Sequence, residues 1–561
     1  MKYRIDRYFC GHRMLIFGIL CLFGISLLAG TSTFVPKKKK TAAQGADDKK
    51  VFLIHSDELF YNKFQNPEAQ ILRGNVAFRH GTMYMYCDSA CYYEASNSFE
   101  AFGNVRMKQG DTLSLRGKHL YYDGEEQLAQ LREDVKLRHK TTTLTTDSLD
   151  YDRIYNLGYF MNGGTMIDGD NVLTSDWGEY NTGTKMATFN YHVKLVNPKY
   201  TLTSDTLRYN TTNGIANIVG PSDIYSDDNH IYSELGFYDT RSDRARMFGR
   251  SKLSNNDGKS LIGDSLFYDR KTGVGKAFRN IVYTDTVNKN GFTGNYCYYN
   301  EKTGYAVAYD SAVAIDFSQG PDTLYMHADT FRLQTFNIET DSAYRKMHAY
   351  HKVRAFRKDV QAVCDSLVFS SKDSCMTMYD NPIVWNNNQQ LVGEEISVYM
   401  RDSTIDWAHV QRQAMSVEKM DSTHYNQVSG KEMKAFFTDG KMHQADVLNN
   451  VRSIYYPLDD DSLIIGLNYA ETSKLSLFIK ENKLQKIIMS PQSNGVLYPL
   501  DQAPENKRYL DGFAWFDYIR PTDKDDIFSW RGKKKEQELV IQNRRSAPLQ
   551  KLKKKNKTKE E

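Results

Sequence analysis

The chain has 561 residues, a net charge of only +4, 13% aromatic residues led by 38 tyrosines, and just 12 prolines. That length exceeds one ordinary domain, and so little proline argues against long disordered stretches inside it. From Arg531 onward there are twelve Lys or Arg against four acids, so the rest is net acidic, which excludes a basic nucleic-acid binder as the body of the protein.

Residues 14–29, MLIFGILCLFGISLLA, are an apolar run preceded by Lys2, Arg4, Arg7 and Arg13 and followed by the small residues Gly30, Thr31 and Ser32. This order reads as a secretory signal peptide or signal anchor over 1–35; the run is slightly short for a spanning helix. Cys21 has no small residue just before it, which argues against a lipoprotein site. Residues 36–50 form a basic linker. The body is expected to leave the cytoplasm.

From 51 to 490 one sentence recurs. In LTSDTLRYNTTNGIANIVG (202–220) an apolar residue, a small residue, Asp205, Leu207 and Tyr209 precede a turn and then Ala-x-Ile-x-Gly. Counterparts of Asp205 stand at Asp57, Asp88, Lys118, Asp147, Asp176, Glu234, Asp264, Asn295, Asp329, Asp365, Glu394 and Lys431, in steps of 29 to 37 residues. Steps so regular mean one structural module, stacked. Tyr, Thr and Val favour strands, and turn signals such as Thr212-Asn213-Gly214 and Lys271-Thr272-Gly273 join two strands per module. About thirteen units then give about 26 strands; side by side at roughly 4.8 Å they would reach on the order of 120 Å.

Leu202 and Leu207 are five apart, which on a flat strand would put them on opposite faces. The same gap separates Ile54 from Leu59, Leu115 from Leu120, Leu144 from Leu149, Leu261 from Leu266 and Leu391 from Ile396. A repeated parity switch predicts a bulge or corner at the small residue and the Asp, after which both arms point their apolar residues inward. The Asp is expected to hydrogen-bond backbone groups that the bend leaves unpaired. The second strand alternates, as in Ala216, Ile218, Gly220 and in Ala187, Phe189, Tyr191, Val193. Its many small residues fit either two close walls or a groove for something apolar. The fold class is therefore all-β, an elongated folded stack of bent antiparallel strands built from repeats of about 30 residues.

Beyond the leader the cysteines are Cys87, Cys91, Cys297, Cys364 and Cys375, an odd number without metal-ligand spacing. Cys87 and Cys91 would stand about 13 Å apart on a strand, too far to pair, so buried apolar roles are expected, with no metal and no cofactor. Gly263-Asp264-Ser265-Leu266 spells the signature of the GDSL esterases, and Asp421-Ser422-Thr423-His424 supplies a later Asp-x-x-His. Yet Asp147-Ser148-Leu149 and Asp365-Ser366-Leu367 repeat the motif at the same point of the module, which marks it as structure. A catalytic Ser would need a base within reach and an oxyanion hole. The chain is read as not an enzyme.

The pattern of ILRGNVAF (71–78), CDSACYY (87–93) and AFGNVRM (101–107) resembles the OstA family, the LptA/LptC-like periplasmic proteins of lipopolysaccharide export. The likeness spans roughly 50–490. It implies an open β-jellyroll whose interior carries lipopolysaccharide acyl chains, working in the periplasm, anchored at the inner membrane or associated with the outer one, beside inner- and outer-membrane export components. On that reading the inward stripe binds the lipid: Ile54, Leu59, Tyr61, Leu144, Leu149, Tyr151, Leu202, Leu207, Tyr209, Leu261, Leu266 and Tyr268. The chain has far more units than short members of the family and lacks room for the membrane barrel of the largest. A β-solenoid adhesin or polysaccharide binder is the alternative.

Residues 491–530 break the rhythm. Trp515, Phe516 and Tyr518 lie in a segment, 509–518, expected to block the C-terminal end of the stack, or to dock a partner. Residues 531–561 are a basic tail, expected to be disordered.

Overall fold

The computed structural model describes residues 50–532, apart from 63, 65, 66, 227, 228, 319, 339, 402, 403, 460 and 482. The signal segment, nearly all of the linker and the tail after Gly532 lie outside the described residues. The body is all-β: 36 strands join in one sheet, with no α-helix among the described residues. Neighbours along the chain pair antiparallel, as Met186–Asn197 with Tyr200–Asn210 and the latter with Ile215–Ser226. This meander excludes a parallel solenoid. Eight bent strands are broken in two at the corner, so the 36 strands amount to 28 rungs, close to the 26 expected from the repeat.

Every rung bends where the parity of its apolar residues switches. In Tyr200–Asn210 the register slips between Ser204 and Thr206, and Leu202 and Leu207 both end up buried on the inner side. The stack therefore has two walls. Wall A holds Tyr200–Ser204 and its counterparts; wall B holds Thr206–Asn210 and its counterparts. The space between them is lined by the apolar stripe.

The corner itself is asymmetric. On one rung a single residue, Asp205, is skipped by the pairing; on the rung before it two are skipped, Tyr191 and His192, both left-handed at φ 64° and 50°. Gly74-Asn75, Gly103-Asn104, Glu133-Asp134, Gly249-Arg250, Arg279-Asn280, His351-Lys352 and Arg412-Gln413 form equivalent left-handed pairs. This two-against-one geometry is a bulge that turns the strand through the corner. It corrects two expectations. Tyr191 and the glycines of the second strand are corner residues, not part of the inner face, and Tyr191 is 67% exposed. The acid's carboxylate also meets side chains rather than stranded backbone: Asn75 Nδ2 donates to Asp57 at 2.9 Å, Asn104 Nδ2 to Asp88 at 2.9 Å, and His192 Nδ1 is bonded to Asp176 at 2.6 Å. At Lys118, where the repeat puts a cation for the acid, the partner is reversed too, and Lys118 Nζ lies 2.5 Å from Asp134. The backbone satisfies itself: the amides of Asp57 and Asp176 donate to the carbonyls of Gly74 and Tyr191 on the next rung.

The small residue before the acid fills a tight inner slot. Ser204 and Ser233 donate from Oγ to the carbonyl two residues on, at 2.9 Å each. Cys87 and Cys364 occupy the same slot and are buried, and burial pushes both thiols up to about 12.

Residues 499–528 leave the stack after its last rung and turn back over the outer face of wall A. Leu510, Ala514, Phe516 and Ile519 bury themselves there against Val363, Ile383, Trp385, Val392, Val417 and Ile454. Three buried glutamines of the wall hold this strap, two by its backbone and one by the Arg520 side chain. Gln390 donates to Ala514 O at 2.8 Å and accepts from Phe516 N at 2.8 Å; Gln427 does the same with Arg508 O and Leu510 N at 2.9 Å each; Gln361 accepts from Arg520 Nε at 2.7 Å. The expectation that 509–518 blocks the C-terminal edge is thus not met. The last rung, Lys483–Ser490 with Asn494–Tyr498, leaves Leu484, Ile487, Val496 and Leu497 exposed. The reason is chemical: the wall offers an apolar surface with buried acceptors and donors for the strap, and the edge does not.

Candidate functional site: the interior between the walls

The stripe read from the repeat lines the interior, but the interior differs along the stack. Leu144, Leu149, Tyr151, Leu202, Leu207 and Tyr209 are all buried in one continuous core with Phe78, Phe99, Leu120, Phe160 and Phe189. Leu266 is buried at its margin, Leu261 is half-buried against it, and Tyr268 is half-buried as well. At the first rung Leu59 and Tyr61 stand about half exposed on an uncovered edge. Ile54 is out of the stripe: the pairing skips it between Leu53 and His55, so that Leu53 faces the core and Ile54 is 52% exposed. The gap of five from Leu59 pointed to the wrong neighbour because this edge strand carries its own bulge.

Across the first part of the stack the mouth between the walls is bolted shut by tyrosines. They recur four residues after each corner: Tyr92, Tyr122, Tyr151, Tyr180, Tyr209 and Tyr238, all on wall B and all buried. Four of them reach wall A. Tyr92 Oη donates to Val51 O at 3.0 Å, Tyr122 Oη lies 2.6 Å from His80 Nδ1, Tyr180 Oη lies 2.8 Å from His139 Nδ1, and Tyr209 Oη donates to Asp168 at 2.8 Å. Arg153 Nη1 donates to Tyr122 Oη at 2.6 Å, which leaves the Tyr122 proton for His80. Tyr238 packs edge-on against Tyr200 of wall A at 4.6 Å, and Lys199 pairs with Asp243 across the same gap at 3.1 Å. A buried phenol is stable here only as the neutral, hydrogen-bonded form: burial first, then Asp168, pushes Tyr209 up to about 12.

Further on the bolts stop. Tyr268 Oη turns to Glu301 of its own wall, Tyr299 is 44% exposed, and the next four counterparts are Leu333, Phe369, Val398 and Ala435, which have no hydroxyl. The inner face changes with them. Leu253, Phe292, Met347, Ala362, Met376, Val384 and Leu391 are only half-buried. Along wall A from 361 to 417 the outer face, beneath the strap, is the more buried one. Val363, Ile383, Trp385 and Val392 are sealed there, while Ala362, Val384 and Leu391 look into a partly open interior. The walls thus pack closely on each other in the first stretch and leave the inner apolar residues half-buried in the second.

The esterase signature is not assembled. Ser265 lies inside the strand Lys259–Asp269, paired with Phe248 and Phe278. Asp421 and His424 are bonded to each other at 2.7 Å in a turn before the strand Tyr425–Thr438, which does not pair with that strand.

Residues 48–205 match the family model described as OstA-like protein. Among solved structures the chain is similar to LptH, the LptA homologous periplasmic component of the conserved lipopolysaccharide transport device from Pseudomonas aeruginosa. The identity is 12%, over 25% of this chain and 95% of that one, with a TM-score of 0.20. Among curated proteins none matches. The matched stretch holds the motifs quoted above and covers most of the bolted part of the stack; of the likeness read over roughly 50–490, the family model matches the part up to 205.

Proposed function

We propose that the protein is a non-enzymatic carrier of lipopolysaccharide in outer-membrane biogenesis, which holds acyl chains between its two walls as part of a periplasmic bridge. The observation that carries this reading is the half-open apolar interior running from about Leu253 to Leu391, whose last rungs, from Val363 on, have an outer face separately sealed beneath the strap. A wall that hides its outer apolar residues under a dedicated strap and leaves the inner ones half-open has an inner face suited to an apolar guest. Each acyl methylene buried there would gain about 0.8 kcal/mol. Of the stripe residues, Leu261, Leu266 and Tyr268 border this open stretch. Leu144, Leu149, Tyr151, Leu202, Leu207 and Tyr209 fill one another's space, and lipid reaches them only if the tyrosine bolts open. Twenty-eight rungs at about 4.8 Å would make a path on the order of 130 Å. The edge strand Phe52–His55, beside exposed Ile54, Leu59 and Tyr61, suits strand addition by an inner-membrane export component.

The test is native mass spectrometry of protein purified from envelopes, together with photo-crosslinkers. Probes at Phe292 and Met347 should capture lipopolysaccharide, and probes at the outward Arg208 and Asn210 should not. Equal labelling of both sets, or protein free of lipid A–type ligand, would end the reading.

A further inference from the structure

One face of the molecule is charged in a way its own architecture avoids elsewhere. On the outer side of wall A, the first full rungs present ten outward positions from Ala77 to Arg138. Six are cations (Arg79, Arg106, Lys108, Arg116, Lys136 and Arg138), two are Tyr84 and Tyr86, and none is an acid. All six cations are exposed. They stand in two rows across the rungs. Tyr86, Arg106, Arg116 and Lys136 are direct cross-strand partners in one row; Arg79, Tyr84, Lys108, Ser114 and Arg138 are in the other.

Like charges directly opposite on adjacent strands are destabilising. The opposite wall shows the usual solution on the same rungs: His119 Nε2 lies 2.9 Å from Glu100 and Arg132 Nη1 lies 2.6 Å from Asp150. The nearby corner acids are already engaged, Asp88 by Asn104 and Asp134 by Lys118. Among the described residues no carboxylate pairs with Arg106, Arg116 or Lys136. A repeat that answers the cation at Lys118 with Asp134 here keeps three cations in a row, so the compensating charge comes from outside.

We infer that this face docks on an anionic phospholipid surface. The array is planar, two rows on rungs about 4.8 Å apart, which matches a layer of phosphates better than an irregular acidic protein. Tyr84 and Tyr86 among the cations suit the headgroup level of a bilayer. The second row continues past Thr143 into Ile167, Val172 and Val196, so an exposed apolar lip, and not an acidic one, borders the cations. The wall begins at Phe52, opposite Arg79, and in sequence the run 14–29 and Lys37–Lys40 come shortly before it.

Full-length protein is compared with the triple variant R106Q, R116Q, K136Q by flotation with vesicles of phosphatidylglycerol mixed with phosphatidylcholine, and with phosphatidylcholine alone. The N-terminal run and the basic tail are common to both proteins and cancel. Each cation near an anionic surface is worth about fivefold in partitioning, so the variant should lose about a hundredfold of the preference for anionic vesicles. Raised salt should erase the wild-type preference. A second variant with the same charge change on wall B (R208Q, R246Q, R332Q) should keep it. The wall A triple variant relieves repulsion and should melt no lower than wild type, which checks its folding. An equal loss in both variants would overturn the inference. So would binding to soluble polyglutamate without any preference for the anionic vesicles.

Discussion

The Tyr122 hydroxyl sits 2.6 Å from His80 Nδ1, and the two residues belong to opposite walls. One hydrogen bond thus spans the opening of the stack, and Arg153 holds it from outside through the phenol oxygen and the His80 carbonyl. Equivalent bonds at Tyr180 and Tyr209 make the first stretch of the interior a closed compartment.

Removing such a bond while keeping the ring isolates its contribution. Tyr180→Phe leaves His139 without its partner in a buried setting, which costs about 1–3 kcal/mol. The double variant Tyr122→Phe, Tyr180→Phe should unfold at lower urea concentration. If lipid passes through the bolted stretch, a crosslinker at Leu207 should capture more of it in the double variant than in wild type. Unchanged unfolding would mean that the hydroxyls do not hold the walls.

The same bolts give a pH dependence. Burial first, then Lys140 and Lys185, holds His139 below the usual imidazole value of 6.5. The unfolded chain takes up a proton as pH falls through that value, and the folded chain does so only at lower pH. Stability is therefore full above the ordinary value and is lost as pH falls from there toward the folded one. Melting temperature measured from about pH 8 to about pH 5 should fall on the acid side. The fall should be shallower in His139→Gln, and an identical slope in that variant would remove His139 as a cause.

Corner geometry predicts which exchanges the repeat tolerates. Gly103 sits at φ +71°, and a Cβ there would lie 2.5 Å from an Asp88 carboxylate oxygen. Gly103→Ala should cost at least about 1–2 kcal/mol in left-handed strain alone, read by denaturant melts. At the sign-reversed corner, Lys118→Asp sets an acid beside Glu133 and Asp134 and should lower the melting temperature. Adding Asp134→Asn recreates the Asp–Asn pairing of Asp88 and Asn104 and should restore it. A double variant no better than the single one would show that the pairing is incidental.

Much of this fold was legible because the repeat is strict. The gap of five between Leu202 and Leu207 located the corner, and the thirteen markers gave the rung count to within two. The left-handed pairs are not legible as a class, since Tyr191-His192, Glu133-Asp134, His351-Lys352 and Arg412-Gln413 carry none of the Gly or Asn that announce such backbone, whereas Gly74-Asn75, Gly103-Asn104, Gly249-Arg250 and Arg279-Asn280 do. The stripe was readable as inward-facing, but the closing of its mouth was not. The bolts join Tyr122 to His80 and Tyr180 to His139, about forty residues and three rungs apart, which is not a whole number of modules. The strap was misplaced because its seat is made by outward residues such as Val363, Ile383 and Trp385, whose apolar character is visible only as a wall with two apolar faces.

That seat supplies the last prediction. Phe516 is fully buried, and Gln390 reads the backbone on both sides of it. Phe516→Ala should cost about 3–5 kcal/mol of local packing. Gln390→Ala should cost about 1–3 kcal/mol, through the backbone groups of Ala514 and Phe516 left without partners. Because the strap lies over a wall whose strands pair independently of it, the loss should be local. Hydrogen exchange should rise over 499–528, while the strand amides of 83–123 stay protected. Uniform deprotection of the whole sheet would mean that the strap is integral to the stack and not an attached cover. If detachment also lowers lipid crosslinking at Met347, the sealed outer face is what keeps the inner one open to its guest.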